Sequence, residues 1–377
     1  MDALMLPLNW QRVRLGDILT LKHGRDYKKF KLGNIPVYGS GGYMLSINNF
    51  LHNGESVCIG RKGTIDKPIY LNGKFWVVDT LFYSYSFKKS IPKFIFYAFS
   101  IIKWSNYNEA TGVPSLTKMT ISNIEIPLPP LNEQVAIANI LSDVDRYLYS
   151  LDALILKKES VKKALSFELL SQRKRLKGFN QAWQKVRLGT YKYRRGSFPQ
   201  PYGNPQWYSD NGMPFVQVYD VGENFKLTQK TKQKISKIAQ PMSVFVPKNS
   251  VIITLQGTIG RVALTQYDCY CDRTILIFDN NTLNDVNKYF FVLSLFTKFE
   301  EEKRKADGSI IKTITKQTLK DFEILLPPLN EQIAIANILS DLDNEIISLK
   351  NKKCQFENIK KALNHDLMSA KIRVLNK

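Results

Sequence analysis

The sequence is poor in the residues that build most catalytic and metal-binding sites. It has three histidines and four cysteines in 377 residues, and these form no HExxH motif and no paired CxxC spacing. It also lacks a GxxxxGK[ST] phosphate loop and a glycine-rich strand–turn of the kind that holds S-adenosylmethionine. The glycine-rich residues 38–43 are better explained as a flexible loop than as a phosphate site. We therefore expect no metal, no cofactor and no catalytic residue, which predicts a binding protein.

Long apolar runs are missing as well. The longest, residues 94–102, lies between Lys93 and Lys103 and has about half the length that a membrane span needs. Residues 1–10 show no charged region followed by an apolar stretch, so we expect no signal peptide. The four scattered cysteines form no disulfide ladder, which suits a reducing compartment. These absences predict a soluble, cytoplasmic protein that does not enter a membrane.

Acidic residues are scarce relative to basic ones. The chain has 54 Lys plus Arg against 33 Asp plus Glu, a formal net charge of +21. Such an excess is typical of proteins that bind an anionic polymer, and nucleic acid is the first interpretation. An anionic membrane surface or a solvated basic face are the alternatives. Because hydrophobic residues make up 44% of the chain, it can bury a core and is not a disordered tail.

The most informative feature is an internal repeat. Residues 128–145 read LPPLNEQVAIANILSDVD, and residues 326–343 read LPPLNEQIAIANILSDLD. A second pair of segments lies upstream, WQRVRLGD from Trp10 and WQKVRLGT from Trp183. Between these marks the copies are only weakly similar: the Gly-Thr-Ile of residues 63–65 answers residues 257–259. The repeat predicts four segments, namely a first mixed domain (1–128), a central helical segment (129–178), a second mixed domain (179–326) and a C-terminal helical segment (327–377).

Each mixed segment shows strand and helix signals, so we predict an α+β fold. Residues 251–255 and 261–264 flank a glycine-containing turn, as strands of one sheet do. Asn72-Gly73 favours a tight hairpin between residues 68–71 and 75–79. Residues 80–87 alternate apolar and polar side chains, the period of a half-buried strand. The apolar residues 94–102 and 289–299 are predicted to form short packed helices.

The segment after each Pro-Pro is predicted to be a long helix. Proline in the first turn has no N–H to leave unpaired, and the Asn-Glu that follows suits the helix dipole. Apolar residues then recur at a spacing of 3.5, which requires a partner helix. We expect an antiparallel pair of the two helices; packing of each helix on its own domain is the alternative. The pair is expected to loosen at Lys158, Lys162, Lys353 and Lys360. The residues predicted to pair are Ile137, Leu141, Val144, Leu148, Leu151, Ile155, Ile335, Leu339, Leu342, Ile346 and Leu349.

Basic and aromatic residues interleave in the predicted turns of both mixed segments. Arg and Lys neutralise phosphates and can bond guanine, Gln can pair with adenine, and Thr or Tyr can contact either groove. For each residue a solvated surface position is the simpler alternative. The residues predicted to contact DNA are Lys22, Arg25, Tyr27, Lys28, Lys29, Arg61, Lys62, Thr64, Tyr193, Arg194, Arg195, Gln256, Thr258 and Arg261.

The repeated LPPLNEQ helices, the Trp-x-x-Val-x-Leu-Gly openings and the Gly-Thr-Ile turns resemble those of specificity subunits of type I restriction–modification systems. The resemblance covers essentially the whole chain. It implies two target-recognition domains, each of which reads one half of an asymmetric, bipartite site on double-stranded DNA. It also implies an antiparallel coiled coil that sets the spacing and docks two adenine-N6 methyltransferase subunits. The resemblance further implies that motor and nuclease subunits join through the assembled complex and that this chain is not itself an enzyme.

Two alternatives come from other classes of protein. A stand-alone DNA adenine methyltransferase is opposed by the missing cofactor motifs, although residues 204–207 (Asn-Pro-Gln-Trp) faintly resemble the Asn-Pro-Pro-aromatic loop of those enzymes. A coiled-coil scaffold for proteins leaves the basic charge unexplained. One departure within the chain matters: the two recognition segments differ far more than the two helices do, as expected if each domain reads a different sequence.

Overall fold

The fold is known from a computed structural model, which describes residues 6–222, 224–257, 259–305 and 316–374. The chain forms two compact units, Met1–Ile155 with Ser348–Lys377, and Leu156–Ile347. Each of the two long helices therefore contributes residues to both units. The division at 128, 178 and 326 expected from the repeat treats these helices as separate segments, and it stays a prediction.

The first unit is built mainly from short strands. Its strands are β1 (Gln11–Arg14), β2 (Thr20–His23), β3 (Leu32–Gly39), β4 (Gly42–Ile47), β5 (His52–Asn53), β6 (Ser56–Gly60), β7 (Ile69–Leu71), β8 (Lys74–Val77), β9 (Leu81–Tyr85) and β10 (Glu125–Leu128). Its helices are α1 (Leu15–Ile18), α2 (Pro92–Ile101), α3 (Lys118–Ser122) and the first part of α4 (Leu131–Leu170). A 3-10 turn covers Trp104–Tyr107.

These strands form two four-stranded sheets and one separate pair. The first sheet has the order β2-β9-β6-β7, and all its neighbours are antiparallel. The second has the order β4-β3-β8-β5, in which β3 and β8 run parallel. The two ends of the domain meet in the antiparallel pair β1–β10. The core lies between the first sheet and α2, where Phe82, Phe94, Tyr97, Phe99 and Trp104 are buried.

The second unit repeats this inventory with small changes in length. Its strands are β11 (Gln184–Arg187), β12 (Tyr193–Arg195), β13 (Tyr208–Val216), β14 (Gln233–Ile235), β15 (Val244–Val246), β16 (Val251–Thr254), β17 (Val262–Leu264), β18 (Cys269–Cys271), β19 (Ile275–Phe278) and β20 (Glu323–Leu326). Its helices are α5 (Lys288–Lys305), α6 (Lys316–Asp321) and the first part of α7 (Leu329–Met368). Its 3-10 turns are Leu188–Thr190, Pro205–Trp207, Val218–Asp220, Gln240–Met242 and Asn280–Thr282.

The strand order of the second unit matches the first sheet by sheet. The orders are β12-β19-β16-β17 and β14-β13-β18-β15, with the pair β11–β20 at the base. The parallel pairing of β13 with β18 takes the place of that of β3 with β8. The predicted pairing of residues 251–255 with 261–264 is confirmed, with Val251 opposite Leu264. The duplication that the sequence shows clearly only at its ends therefore covers the whole domain, and the predicted α+β class is confirmed.

Two local predictions were wrong. Asn72-Gly73 does not close a hairpin, because β7 pairs with β6 whereas β8 pairs with β3 and β5 in the other sheet. Gly73 has a φ of +91°, so the dipeptide makes a turn, but the turn carries the chain from one sheet to the next. Strand β9 is not half-buried, since Leu81, Phe82, Tyr83 and Ser84 are all buried. The Ser84 hydroxyl is accommodated because it donates to the carbonyl oxygen of Val57, 2.8 Å away.

Both long helices are 40 residues long and begin in the same way. The Gln134 amide donates to the Pro129 carbonyl at 2.8 Å, and its oxygen accepts the Ile91 N–H at 3.0 Å. Gln332 makes the same bonds with Pro327 and Asn287, at 2.8 and 3.0 Å. The glutamine of LPPLNEQ therefore ties the start of each helix to the segment that precedes α2 or α5.

In each unit the two helices run antiparallel. In the first unit Lys353 pairs with Asp152 (2.6 Å) and Lys360 with Asp145 (2.5 Å), so later residues of α7 meet earlier residues of α4. In the second unit Lys158 pairs with Glu345 at 2.8 Å, and Lys162 pairs with Asp343. The expected loosening at these four lysines was wrong, because each of them reaches a carboxylate on the other helix.

Candidate DNA interface

In the first unit, predicted DNA contacts gather where the parallel strands β3 and β8 end. Because these strands are parallel neighbours, the loops that follow them leave the same edge of the sheet. These loops are residues 39–44 and 78–80, and we call this part of each unit its carboxyl edge. In open α/β sheets, ligands commonly lie outside the carboxyl ends of the parallel strands, which makes this edge a candidate site here.

A cavity of about 780 Å³ lies at the carboxyl edge of the first unit. Its lining includes the predicted residues Tyr27 and Lys28 together with Asp26, the tip of the β3–β4 hairpin and residues 78–80. Tyr43 at the hairpin tip is 62% exposed, although it lies beside this cavity. Most of the glycine-rich segment, residues 39–43, thus forms one wall of a cavity that Tyr27 and Tyr43 also line, together with Lys28 and two aspartates, Asp26 and Asp79.

The turn after β6 joins the same edge. Arg61 and Lys62 donate their backbone N–H groups to the Thr80 carbonyl, and the Arg61 guanidinium donates to the Asp79 carbonyl at 3.0 Å. Gly63 has a φ of +84°, and a Cβ there would lie 3.2 Å from the Ser40 hydroxyl. The structure therefore brings Arg61 and Lys62, with the half-buried Thr64 that follows, to the edge that Tyr27 and Lys28 occupy.

The remaining predicted residues of this unit lie nearby on the strand and loop before β3. The exposed Lys22 lies on β2 with its Nζ 4.4 Å from the centre of the Tyr85 ring. Arg25 is exposed, and its carbonyl accepts the Trp76 indole N–H at 2.7 Å. Lys29 is exposed, with its Nζ 5.2 Å from the centre of the Phe30 ring. Contacts of these three residues with DNA stay predictions.

The second unit places the equivalent turn at its own carboxyl edge. Leu255 donates its N–H to the Thr274 carbonyl at 2.8 Å, as Arg61 does to Thr80. Gly257 has a φ of +69°, and a Cβ there would lie 3.5 Å from the Val218 side chain. Gln256 is exposed in this turn, whereas Thr258 lies outside the described residues. The Arg261 guanidinium donates to the Val221 carbonyl at 3.1 Å.

The predicted residues on β12 fall at two places. Tyr193 and Arg194 line a cavity of about 420 Å³ with Lys192, near Asp279 at the far end of β19. Arg194 donates to the Phe245 carbonyl at 3.0 Å. Arg195 is exposed and precedes Gly196, which lies against the Cys271 and Asp272 carbonyls of the carboxyl edge. The structure thus brings Arg195 and Gln256 to the carboxyl edge and leaves Tyr193 and Arg194 at the other end of the strand.

Part of the helix seam packs in the domain cores, which is the alternative to helix pairing that the sequence left open. Ile137 and Leu141 lie in the core of the first unit, and Ile335 and Leu339 lie in that of the second. The seam residues that are also buried are Leu151, Ile155 and Ile346. The half-buried ones are Val144, Leu148, Leu342 and Leu349, whose pairing stays a prediction. The Tyr147 and Phe356 rings, 4.6 Å apart, make an aromatic contact across the pair.

A buried glutamate at the start of each helix joins three parts of its unit, and the sequence analysis missed it. Glu331, 1% exposed at its side chain, accepts from the Arg175 guanidinium at 2.7 Å and from the Trp183 indole at 3.2 Å. Glu133 accepts from Arg373 at 2.8 Å and from Trp10 at 3.0 Å. We call each cluster a glutamate lock. The signal was present in the sequence, since Arg175 and Arg373 are separated by the same offset as the two LPPLNEQ motifs.

A second repeated cluster ties α2 and α5 to the helix pair. The Tyr97 hydroxyl donates to Asp145 at 2.6 Å, and Lys360 pairs with the same carboxylate. Tyr289 and Lys162 contact Asp343 in the same way. Burial, and then the hydrogen bond to the aspartate, raise the pKa of both tyrosines above the ordinary value. Both phenols are therefore neutral donors at neutral pH.

Comparisons with known proteins agree with this duplicated architecture. The family model described as "Type I restriction modification DNA specificity domain" matches twice, over residues 7–159 and 199–357. The type I restriction enzyme MjaVIII specificity subunit of Methanocaldococcus jannaschii is 26% identical over an alignment that covers 100% of this chain and 96% of that protein.

Solved structures show the same fold. The type I restriction–modification S subunit from M. genitalium has a TM-score of 0.66 and 17% identity, covering 96% of this chain and 98% of that one. A chain from a study of complex assembly and conformational transition of the type I system has a TM-score of 0.57 and 17% identity, covering 97% and 99%. None of the described helices has the length and apolar character that a bilayer crossing requires. With two matches that together span most of its length, this chain belongs to the type I restriction–modification DNA specificity family.

Proposed function

We propose that this chain reads DNA sequence for a type I restriction–modification complex, with each domain reading one half of an asymmetric, bipartite site. The observation that carries the proposal is a contrast within the chain. The LPPLNEQ helices are nearly identical, whereas side chains at equivalent places of the two carboxyl edges differ. Arg61 and Lys62 of the first unit correspond to Leu255 and Gln256 of the second.

Two domains that share a fold but recognise different DNA sequences require this combination of like helices and unlike edges. The glycines that shape the turns are kept, as Gly63 and Gly257 show, because their positive φ disfavours other residues. The exposed pair, Lys62 and Gln256, is free to change because neither side chain packs in a core, whereas Leu255 is buried in the core of the second unit. The alternative function, a coiled-coil scaffold that binds two copies of one protein, does not require the carboxyl edges of the two units to differ.

The helix pair accounts for the remaining parts of the proposal. Its two halves repeat the same glutamate lock and the same aspartate cluster, so each unit offers the same helical surface to a partner. Two methyltransferase subunits would dock there, and motor and nuclease subunits would join the assembled complex in the cytoplasm. The 40-residue helices set the distance between the half-sites that are read. Methyl transfer is the task of the partners, and this chain supplies recognition alone.

The test is a methylation assay with and without partners. Purified chain is incubated with labelled S-adenosylmethionine and DNA that lacks host modification, alone and together with its methyltransferase subunits. We expect incorporation only in the complete mixture, at adenines of one bipartite site, and binding of duplex DNA by the complex at that site. Incorporation by the chain alone would favour a stand-alone methyltransferase. A complete complex that methylates without sequence preference would refute the proposal.

A further inference from the structure

One position at the carboxyl edge has the same place in the backbone of both units, but it carries side chains of opposite charge. Gly24 donates its N–H to the Leu81 carbonyl, and Gly196 donates to that of Ile275, so the starts of β9 and β19 correspond. Two residues before these starts lie Asp79 in the first unit and Arg273 in the second. Both are exposed in the loop that follows the parallel strand.

Asp79 is an exposed acid next to basic side chains. It lines the cavity at the carboxyl edge beside Lys28, and its own carbonyl accepts from the Arg61 guanidinium. Its carboxylate forms no ion pair with any residue that the structure describes. A carboxylate that faced the phosphate backbone would be repelled by it, so in bound DNA a base is the better partner for Asp79. An exocyclic amino group of cytosine or adenine is a hydrogen-bond donor in the major groove that a carboxylate can accept.

Arg273 is held as a reader of guanine would be. Its guanidinium carbon lies 5.3 Å from the centre of the Tyr202 ring, and the Tyr202 hydroxyl donates to the buried Asp272 carboxylate. The hydrogen bond to Asp272 therefore holds the Tyr202 ring in place, and the ring in turn limits the movement of the planar guanidinium beside it. Within the described ranges Arg273 has no ion-pair partner, which leaves its donors for the O6 and N7 of guanine.

We propose that Asp79 and Arg273 are specificity-determining residues at the equivalent position of the two domains. Arg273 selects a guanine in the half-site that the second domain reads. Asp79 selects a base with an exocyclic amino group, cytosine or adenine, at the corresponding position of the other half-site. The inference rests on the proposed function and assigns the base chemistry of that same interface.

The experiment uses the complex of this chain with its methyltransferase subunits. The site is first mapped from methylated adenines, and binding constants are then measured for duplexes that change one base pair at a time. For the unaltered complex, loss of the selected guanine should weaken binding about 10- to 100-fold. In Arg273→Lys the charge stays but the two-donor fork is lost. We expect the discrimination at that one guanine to fall below about threefold, with the salt dependence unchanged.

Asp79→Ala gives a readout that a structural role would not give. Removal of a negative charge from a basic surface should leave non-specific binding equal or tighter, while discrimination at one base pair of the other half-site falls below about threefold. Lys185→Gln, an exposed residue on β11 at the base of the second domain, is the control and should leave both half-sites intact.

The outcomes separate the two levels of the proposal. If the unaltered complex shows no bipartite site, the proposed function fails. If it does, but both variants keep full discrimination at every base pair, only the assignment of Asp79 and Arg273 fails. A variant that loses non-specific binding also overturns the assignment for its residue, because a base reader contributes little to that binding.

Discussion

Removal of Arg175 should leave a negative charge buried without its cation. The Glu331 side chain is 1% exposed and that of Arg175 is 27% exposed, so the pair is buried on one side. Breaking a buried ion pair by removing one partner costs about 3–5 kcal/mol. Because the arginine is partly solvated, we expect Arg175→Met to destabilise the start of α7 by an amount near the lower end, about 3 kcal/mol. Arg175→Met with Glu331→Gln should recover most of this loss, because no charge is then stranded.

The repeat supplies an internal reference for the measurement. Residues 131–142 and 329–340 differ at a single position, so their amides exchange at nearly the same intrinsic rates. Hydrogen exchange of both peptides in one sample compares the altered lock with the intact one. A loss of about 3 kcal/mol corresponds to exchange about 150-fold faster in residues 329–340, with no change in residues 131–142.

A matched control removes an exposed arginine from the same unit. Arg187 pairs with Glu323 at 3.4 Å with 70% and 43% of the two side chains exposed, and such pairs contribute at most about 1 kcal/mol. Arg187→Met should leave both peptides nearly unchanged. The reasoning is refuted if Arg175→Met speeds exchange less than threefold, or if the added Glu331→Gln fails to slow it again.

Three further predictions concern recognition. Insertion of one heptad into both helices, at facing positions, should lengthen the DNA spacer by two or three base pairs and leave the half-sites unchanged, because seven residues add about 10 Å; an active variant with the original spacer would contradict this. Lys28→Ala with Lys29→Ala should weaken binding to every sequence and reduce the slope of log affinity against log salt by about one per lost phosphate contact, and an unchanged slope would exclude both lysines. Exchange of residues 1–128 for another such domain should alter one half-site only, as mapped from methylated adenines; a change in both would disprove one domain per half-site.

The sequence predicted well those parts of the fold that appear in it as a local periodicity or as an exact repeat. The heptad pattern and the Pro-Pro starts predicted both long helices, and the repeat predicted two copies of one α+β domain. Asn72-Gly73 misled because a turn propensity specifies the bend and not which strands pair after it. Strand β9 misled because Ser84 can be buried when the Val57 backbone satisfies it, and that partner lies 27 residues away.

The candidate site was harder to predict because it is assembled across the chain. Tyr27 and Lys28 could be selected from their local composition, yet the hairpin tip and Asp79 join them only through the parallel pairing of β3 with β8. The glutamate locks were missed for the same reason: Glu133 and Arg373 are 240 residues apart. The lysines that interrupt the seam were interpreted from the apolar pattern alone, and their carboxylate partners lie on the other helix.

The backbone contacts at the carboxyl edge explain how two domains with the same fold can carry different side chains there. A Cβ at Gly24 would lie 2.0 Å from the Val78 carbonyl oxygen, and one at Gly196 would lie 2.2 Å from that of Cys271, so only glycine fits where β2 and β12 cross the edge. These backbone contacts, like the glutamate locks, are repeated in both units. The edge loops are held by main-chain bonds to Thr80 and Thr274, together with the bond from the Arg61 guanidinium to the Asp79 carbonyl and the burial of Leu255 in the core. Substitution of an exposed edge residue should therefore cost little stability, which would let two domains with one fold diverge while their helices stay alike.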